Sequence, residues 1–315
     1  MLDGSGQRLH GRLLGHGDLA EACALVPDWL PLAPALRRAL PALWTRLLGQ
    51  PGFNADVIED LARPPGQRLV GMGMAVALDA RWQQWLASDP PPFAAAVLYA
   101  ELEAGRYAPP SDRELATLNA RGEVSFFVLH YHQHAQDLGD PDTVETLGVA
   151  LALFRQAHAG YRLRELCQEG LGEQSEYLRS MGFRARTARA QAGVPELDGL
   201  TRAEAARLLP GTPVRDAFQF TPPRLAVTQL TDEQIGDELG LSPHGIKKLW
   251  RTVHERAVDA MPQLFGDAAW TEGTRGPEKR RTLLQYLRQH PEELRPYAAA
   301  PDRSRAARVA DAMSC

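Results

Sequence analysis

Between Thr231 and Met261 the chain reads TDEQIGDELGLSPHGIKKLWRTVHERAVDAM, and this stretch restricts the local fold more than any other. Thr231 is placed to cap a helix, with Gln234 three residues on completing a capping box. Asp232 and Glu233 follow in the first turn, where the helix dipole favours negative charge. Ile235 and Leu239 form one apolar stripe. Gly240 stands where helices commonly end in a left-handed residue. Ser242-Pro243 starts a second helix at once, serine as cap and proline at its first position. Ile246, Leu249, Trp250, Val253 and Ala257 recur at the spacing of a buried helical face, while His244, Lys247, Lys248 and Arg251 project elsewhere. Two helices joined so tightly need a small residue where they cross, and Gly236 fits that place.

LTDEQIGDELGLSPHGIKKLWRTVHERA resembles the helix-turn-helix of LuxR-type transcription regulators. In that family Leu-Thr-x-x-x-Ile, Leu-Gly-Leu-Ser and a Val/Ile-Lys pair recur in this order. The resemblance implies a helix from Pro243 in the major groove of duplex DNA, with Thr231, Ser242, His244, Lys247, Lys248 and Arg251 at the interface. Lys279, Arg280 and Arg281 would add phosphate contacts. It also implies a homodimer reading two half-sites. Either Pro222 to Gln229 or Thr201 to Leu209 takes the place of the helix that precedes the pair in relatives.

The rest of the chain sets the expected frame. A net charge of -4 over 315 residues excludes a protein basic over its whole surface. From residue 211 on, 15 Lys/Arg stand against 14 Asp/Glu, so any basic footprint is a local patch. Cys23, Cys167 and Cys315 are too few and too scattered for a disulfide framework or a cysteine zinc site, and fit a reducing, cytoplasmic setting. No apolar run reaches membrane-spanning length.

In chain order, residues to about Leu19 read as poorly ordered. Leu30 to Leu48 reads as an amphipathic helix, Asn54 to Leu61 as a short helix, and Arg68 to Asp79 as a strand. The small residues of that strand, Gly71, Gly73 and Ala75, suggest close approach by a neighbour. Ala80 to Ala87 and Phe93 to Leu102 read as helices, and Glu123 to His132 as the strongest strand. Asp142 to Gly170 reads as one long helical stretch, followed by helices at Glu173 to Ser180, Thr201 to Leu209 and Gly276 to Tyr297. The expected fold class is α+β. A flexible segment (1–19) precedes a mixed α/β sensor or dimerisation domain (20–210). An all-helical DNA-binding domain (220–298) and a tail (299–315) follow, with the boundary at Pro210 to Pro223.

Two further patterns bear on chemistry. His130, His132 and His134 alternate, as a strand-borne metal site requires, but no carboxylate or cysteine stands at a useful spacing, so a sheet-edge cluster is the better reading. The order strand, helix, Ala159-Gly160-Tyr161, then Tyr177-Leu178-Arg179-Ser180-Met181-Gly182-Phe183 resembles the GCN5-related acetyltransferases. The glycine-rich pyrophosphate loop of that family is missing here, which removes the amides that would cradle a nucleotide. Tyr177 then reads as a packing residue. The expectation is therefore a cytoplasmic DNA-binding regulator with no catalytic residue, metal or cofactor; the alternative is an acetyltransferase-like enzyme with an accessory helical domain.

Overall fold

The strongest strand of the sequence, β4 (Val124–Gln133), runs through the middle of a sheet rather than along its edge. The computed structural model describes residues 8–187, 193–208, 230–265 and 276–295. Among these, β1 (Leu9–Leu13), β2 (Phe53–Asp60), β3 (Leu69–Ala77), β4, β5 (Leu163–Gly170), β6 (Arg184–Thr187) and β7 (Glu196–Thr201) form one sheet in the order β1-β2-β3-β4-β5-β7-β6. Every neighbouring pair is antiparallel except β4 and β5. Two parallel neighbours need a crossover, and α6 (Pro141–His158) supplies it.

Three expectations are corrected by this sheet. The segment before Leu19 carries β1, whose backbone pairs with β2 from Leu9 to Leu13. Asn54 to Leu61 is not a helix but most of β2. Inner strands covered on both faces lose the polar alternation that marks a strand in sequence, and β2 is buried at Phe53, Asn54, Ala55, Val57 and Ile58 alike. The long helix expected to Gly170 stops at His158. Ala159 is extended and Gly160 takes φ +81, which turns the chain into β5.

Helices cover both faces. On one face α1 (Leu19–Ala22), α2 (Pro34–Leu47), α3 (Ala80–Ala87) and α4 (Ala94–Glu103) enclose the larger core with Trp44, Met72, Tyr99 and Phe127. On the other, α5 (Asp112–Arg121), α7 (Glu173–Ser180) and α8 (Arg202–Leu208) pack with Phe126, Leu166 and Leu200, and α6 lies across β1 to β3. Glu169 anchors the first face: its carboxylate accepts the backbone N–H groups of Ala94 and Ala95 at 2.9 and 3.1 Å, capping α4 where Phe93 is left-handed.

The C-terminal part contains α9 (Asp232–Leu239), α10 (Pro243–Ala260) and α11 (Gly276–Gln289). Thr231 accepts from the N–H of Gln234 at 3.3 Å, Gly240 takes φ +63, and Ser242 accepts from the N–H of Gly245 at 3.2 Å. A Cβ on Gly236 would stand 3.0 Å from the carbonyl oxygen of Leu241, the close approach a tight hairpin demands. Ile246, Trp250, Val253 and Ala257 pack with Leu283 and Leu287 of α11, and Leu13 of β1 joins them. Arg295 fastens this part to α6, donating to the carbonyls of Gln156, Ala157 and Ala159 at 3.3, 2.6 and 3.2 Å. The expected boundary at Pro210 to Pro223, the helix considered at Pro222 to Gln229 and the tail 299–315 lie outside the described residues. No helix among the described residues is long and apolar enough to cross a membrane.

Candidate active site

A bulge and a divergence in the sheet open the site. On β3, Met74 pairs with His130 and Ala75 with Val128, so Leu129 of β4 has no partner in the register. One extra residue reverses which face each later side chain takes. Val128 faces α6; beyond the bulge Tyr131 and Gln133 do so, and His130 turns to the opposite face, where its Nδ1 lies 3.0 Å from the Tyr99 hydroxyl. The parallel pairing of β4 with β5 ends at Val128 with Gln168. β4 continues to Gln133 against β3, whereas Glu169 and Gly170 continue only against β7. The two strands therefore part.

A cavity of about 370 Å³ lies at the parting, a volume within the range of small-molecule sites. Its floor is the sheet, its walls are α6 and α7, and Trp29, His132 and Gln136 reach it from the other side of the gap. The close approach expected at the small residues of β3 is found at Gly71, where a Cβ would stand 3.2 Å from Ile58, whereas Gly73 and Ala75 form part of the floor and a Cβ on Gly73 would meet only Tyr131, at 3.7 Å.

Asp56, Gly73 and Tyr131 occupy one rung across β2, β3 and β4. Residues directly opposite on neighbouring strands share a face, so Asp56 and Tyr131 flank a position that has no side chain. The Asp56 carboxyl, with no ion pair among the described residues, is held up at about 7 by burial, partly offset by the charge of Arg295. Tyr177 of α7 lines the same cavity half-buried, and burial raises its phenol so that it stays protonated near neutrality. Tyr131 donates to Gln133, whose amide reaches the carbonyl of Ala135 at 2.6 Å. His158 donates from Nδ1 to the carbonyl of Phe154 at 2.8 Å, and burial lowers its pKa to about 4. Its Nε2 and the Thr143 hydroxyl are buried without a hydrogen-bond partner among the described residues. This set can take a proton from one group and give one to another.

A nucleotide pyrophosphate does not fit at the start of α6. Asp140 caps the helix through the N–H of Asp142 at 3.0 Å, Pro141 brings no N–H, and the Asp142 carboxylate sits there paired with Arg8 at 3.1 Å. The Asp137 carboxylate accepts the Gly139 N–H at 2.9 Å. Carboxylates already hold the donors that an anion would need.

The residues expected at a DNA interface lie away from this cavity. Thr231 and Ser242 are spent as helix caps; His244, Lys247, Lys248 and Arg251 are exposed on α10, with Arg251 4.0 Å from Glu255. Lys279 is partly exposed and Arg281 exposed, but Arg280 is turned inward. It pairs with Asp232 at 2.7 Å and lies 4.3 Å over the Trp250 ring, whose Nε1 also donates to Asp232 at 3.0 Å. Among the described residues no group of three or more His, Cys, Asp or Glu is placed to hold a metal. The cavity residues escaped the sequence reading because Asp56 sits in a strand read as a helix. Tyr177 carried the one usable signal, its place before Gly182-Phe183.

No family model and no curated protein matches the chain. Solved structures do. Mutant forms of the spermidine/spermine N-acetyltransferase SpeG from Vibrio cholerae match at 11% identity, covering 64% of this chain and 97% of theirs with a TM-score of 0.36. The dodecameric spermidine N-acetyltransferase of Vibrio cholerae in its intermediate state gives 12%, 64%, 96% and 0.36. FeeM, an N-acyl amino acid synthase from uncultured soil microbes, gives 14%, 66%, 97% and 0.34. Identities this low speak to fold at most, and the mixed α/β part with its seven-stranded sheet resembles the acetyltransferase fold. Against the expectation of a non-enzymatic regulator partnered by duplex DNA, these solved structures similar to the chain are of acyl-transfer enzymes. Capping, a left-handed glycine and an apolar stripe specify a tight helical hairpin, and that hairpin is present, its apolar face packed through Trp250 and Val253 with Leu283, Leu287 and Leu13.

Proposed function

We propose that this chain is an acyltransferase of the GCN5-related kind, moving an acyl group from a thioester to an amine in the cavity where β4 and β5 part. The observation that carries this reading is the pair Asp56 and Tyr131 facing one another across Gly73 at that parting, with Tyr177 lining the same cavity. The amine enters from the side of Trp29 and His132, and its nitrogen attacks the thioester carbonyl. Asp56, ionised in about half the molecules near pH 7, takes the proton the amine gives up. The carbon–sulfur bond breaks and the Tyr177 phenol gives its proton to the leaving thiolate. Exclusion of water by α6 and α7 protects the thioester from hydrolysis.

The C-terminal helices are an accessory layer in this reading. The likeness of Thr231 to Met261 to LuxR-type regulators is taken as a likeness of hairpin architecture, supported by the caps at Thr231 and Ser242 and by Gly240. The free thiols of Cys23 and Cys167 support a cytoplasmic setting.

The test is mass-spectrometric detection of acylated amine from a panel of primary amines and simple acyl thioesters. Acylated product that falls at least roughly tenfold in Tyr177→Phe, with the fold intact by circular dichroism, is the expected result. No product with any pair, or product undiminished in that variant, overturns the assignment.

A further inference from the structure

The shape of the cavity says which acyl group belongs in it. Thr143, Leu147, Ala150, Leu151, Phe154, Ala157 and His158 all line it, so it follows one face of α6 from end to end. At the rise of an α-helix, the fifteen steps from Thr143 to His158 extend about 22 Å. The facing wall is also apolar, with Leu171, Leu178, Met181 and Phe183, and the floor between the walls is Gly73, Ala75 and Val128. Polar side chains also reach it, Thr143 and His158 at the two ends of the α6 face and Glu173, Gln174 and Tyr177 from α7, but between those ends the α6 face is apolar. A volume of about 370 Å³ bordered by that face of α6 and by α7 is a slot with room for far more than an acetyl group. An acetyl group would leave nearly all of that apolar lining against water, which a longer hydrocarbon chain would displace.

Resting on the acyl-transfer reading, we infer that the acyl group carried by this enzyme is a long unbranched hydrocarbon chain, lying in the slot between α6 and α7 with its carbonyl at the Asp56–Tyr131 rung. Its methylenes contact Leu147, Leu151 and Phe154 on one side and Leu178 and Met181 on the other. Affinity then comes from apolar area removed from water, and chain length sets specificity.

Calorimetric titration of the full chain with S-acyl derivatives of N-acetylcysteamine, from acetyl to dodecanoyl and without amine, measures this directly. Affinity is expected to rise about three- to fourfold for each added methylene until the slot is filled. Ala150→Phe, which projects a ring into the slot, should flatten the rise of affinity with chain length and lose at least tenfold for dodecanoyl. Affinity that does not change with chain length in the wild-type protein overturns the inference, whatever the variant does. The two levels separate cleanly. Turnover of acetyl thioesters with no gain from longer chains refutes the long chain and leaves acyl transfer standing. Length-dependent binding with no turnover of any thioester supports the slot and refutes the chemistry.

Discussion

Gly73 leaves the Asp56 carboxyl facing Tyr131 over bare backbone, and burial raises that carboxyl from its ordinary 3.8 to about 7. A carboxyl raised in the folded state costs stability wherever the unfolded chain is ionised and the folded one is not. The cost therefore grows as pH climbs from about 4 to about 7 and is constant above that. Asp56→Asn should accordingly be more stable than wild type by roughly 2–4 kcal/mol at pH 8 and by little at pH 4, measured by urea denaturation at both pH values. The same substitution should lower kcat by roughly 10²–10⁴-fold, because the proton acceptor is gone. Stability gained where activity is lost marks a group retained for function. His158 belongs to the same balance: with Nδ1 given to Phe154 and a pKa near 4, its Nε2 presents a lone pair into the cavity wall.

At the scale of elements, two short-range devices hold the C-terminal helices. Gly240 ends α9 with positive φ, and a side chain there is strained although nothing crowds the space, so Gly240→Ala should cost about 1 kcal/mol in chemical denaturation. Arg295 gives three hydrogen bonds to carbonyls at the end of α6 and puts its charge where the helix dipole is negative. Arg295→Met should cost about 2–4 kcal/mol. Because the charge of Arg295 also holds the Asp56 carboxyl down, the same variant should move the midpoint of the pH–rate profile upward. These devices differ in how far they show in sequence. The Thr231–Gln234 capping box and Gly240 act within a few residues, so spacing alone reveals them. β4 is also readable, being rich in β-branched and aromatic residues, and β3 shows as an uncharged run of alternating small and large residues. β2 and β5 were not, because β2 is buried on both faces and β5 follows α6 after a turn at Gly160 that continues the helical spacing of its apolar residues. The rung of Asp56, Gly73 and Tyr131 joins positions on three strands, and only the sheet register brings them together.

Across the whole molecule, the basic face of α10 and the cavity are separate features. Lys247 and Lys248 are exposed. Replacing both with alanine should leave thioester turnover unchanged within twofold and stability within about 0.5 kcal/mol, as expected for surface changes away from structural contacts. The sheet, its bulge at Leu129 and the crossover through α6 create the parting; α7 closes it; the C-terminal helices hold the end of α6 through Arg295. The central claim is that Asp56 accepts the proton in acyl transfer at that parting. Its most direct test is thiol release from an acyl thioester with a primary amine, followed from pH 5 to pH 9 in wild type and Asp56→Asn. Wild-type kcat is predicted to rise to a plateau above about pH 7 while the variant stays at least roughly a hundredfold lower without that rise. A variant within threefold of wild type, with the same pH dependence, would contradict it.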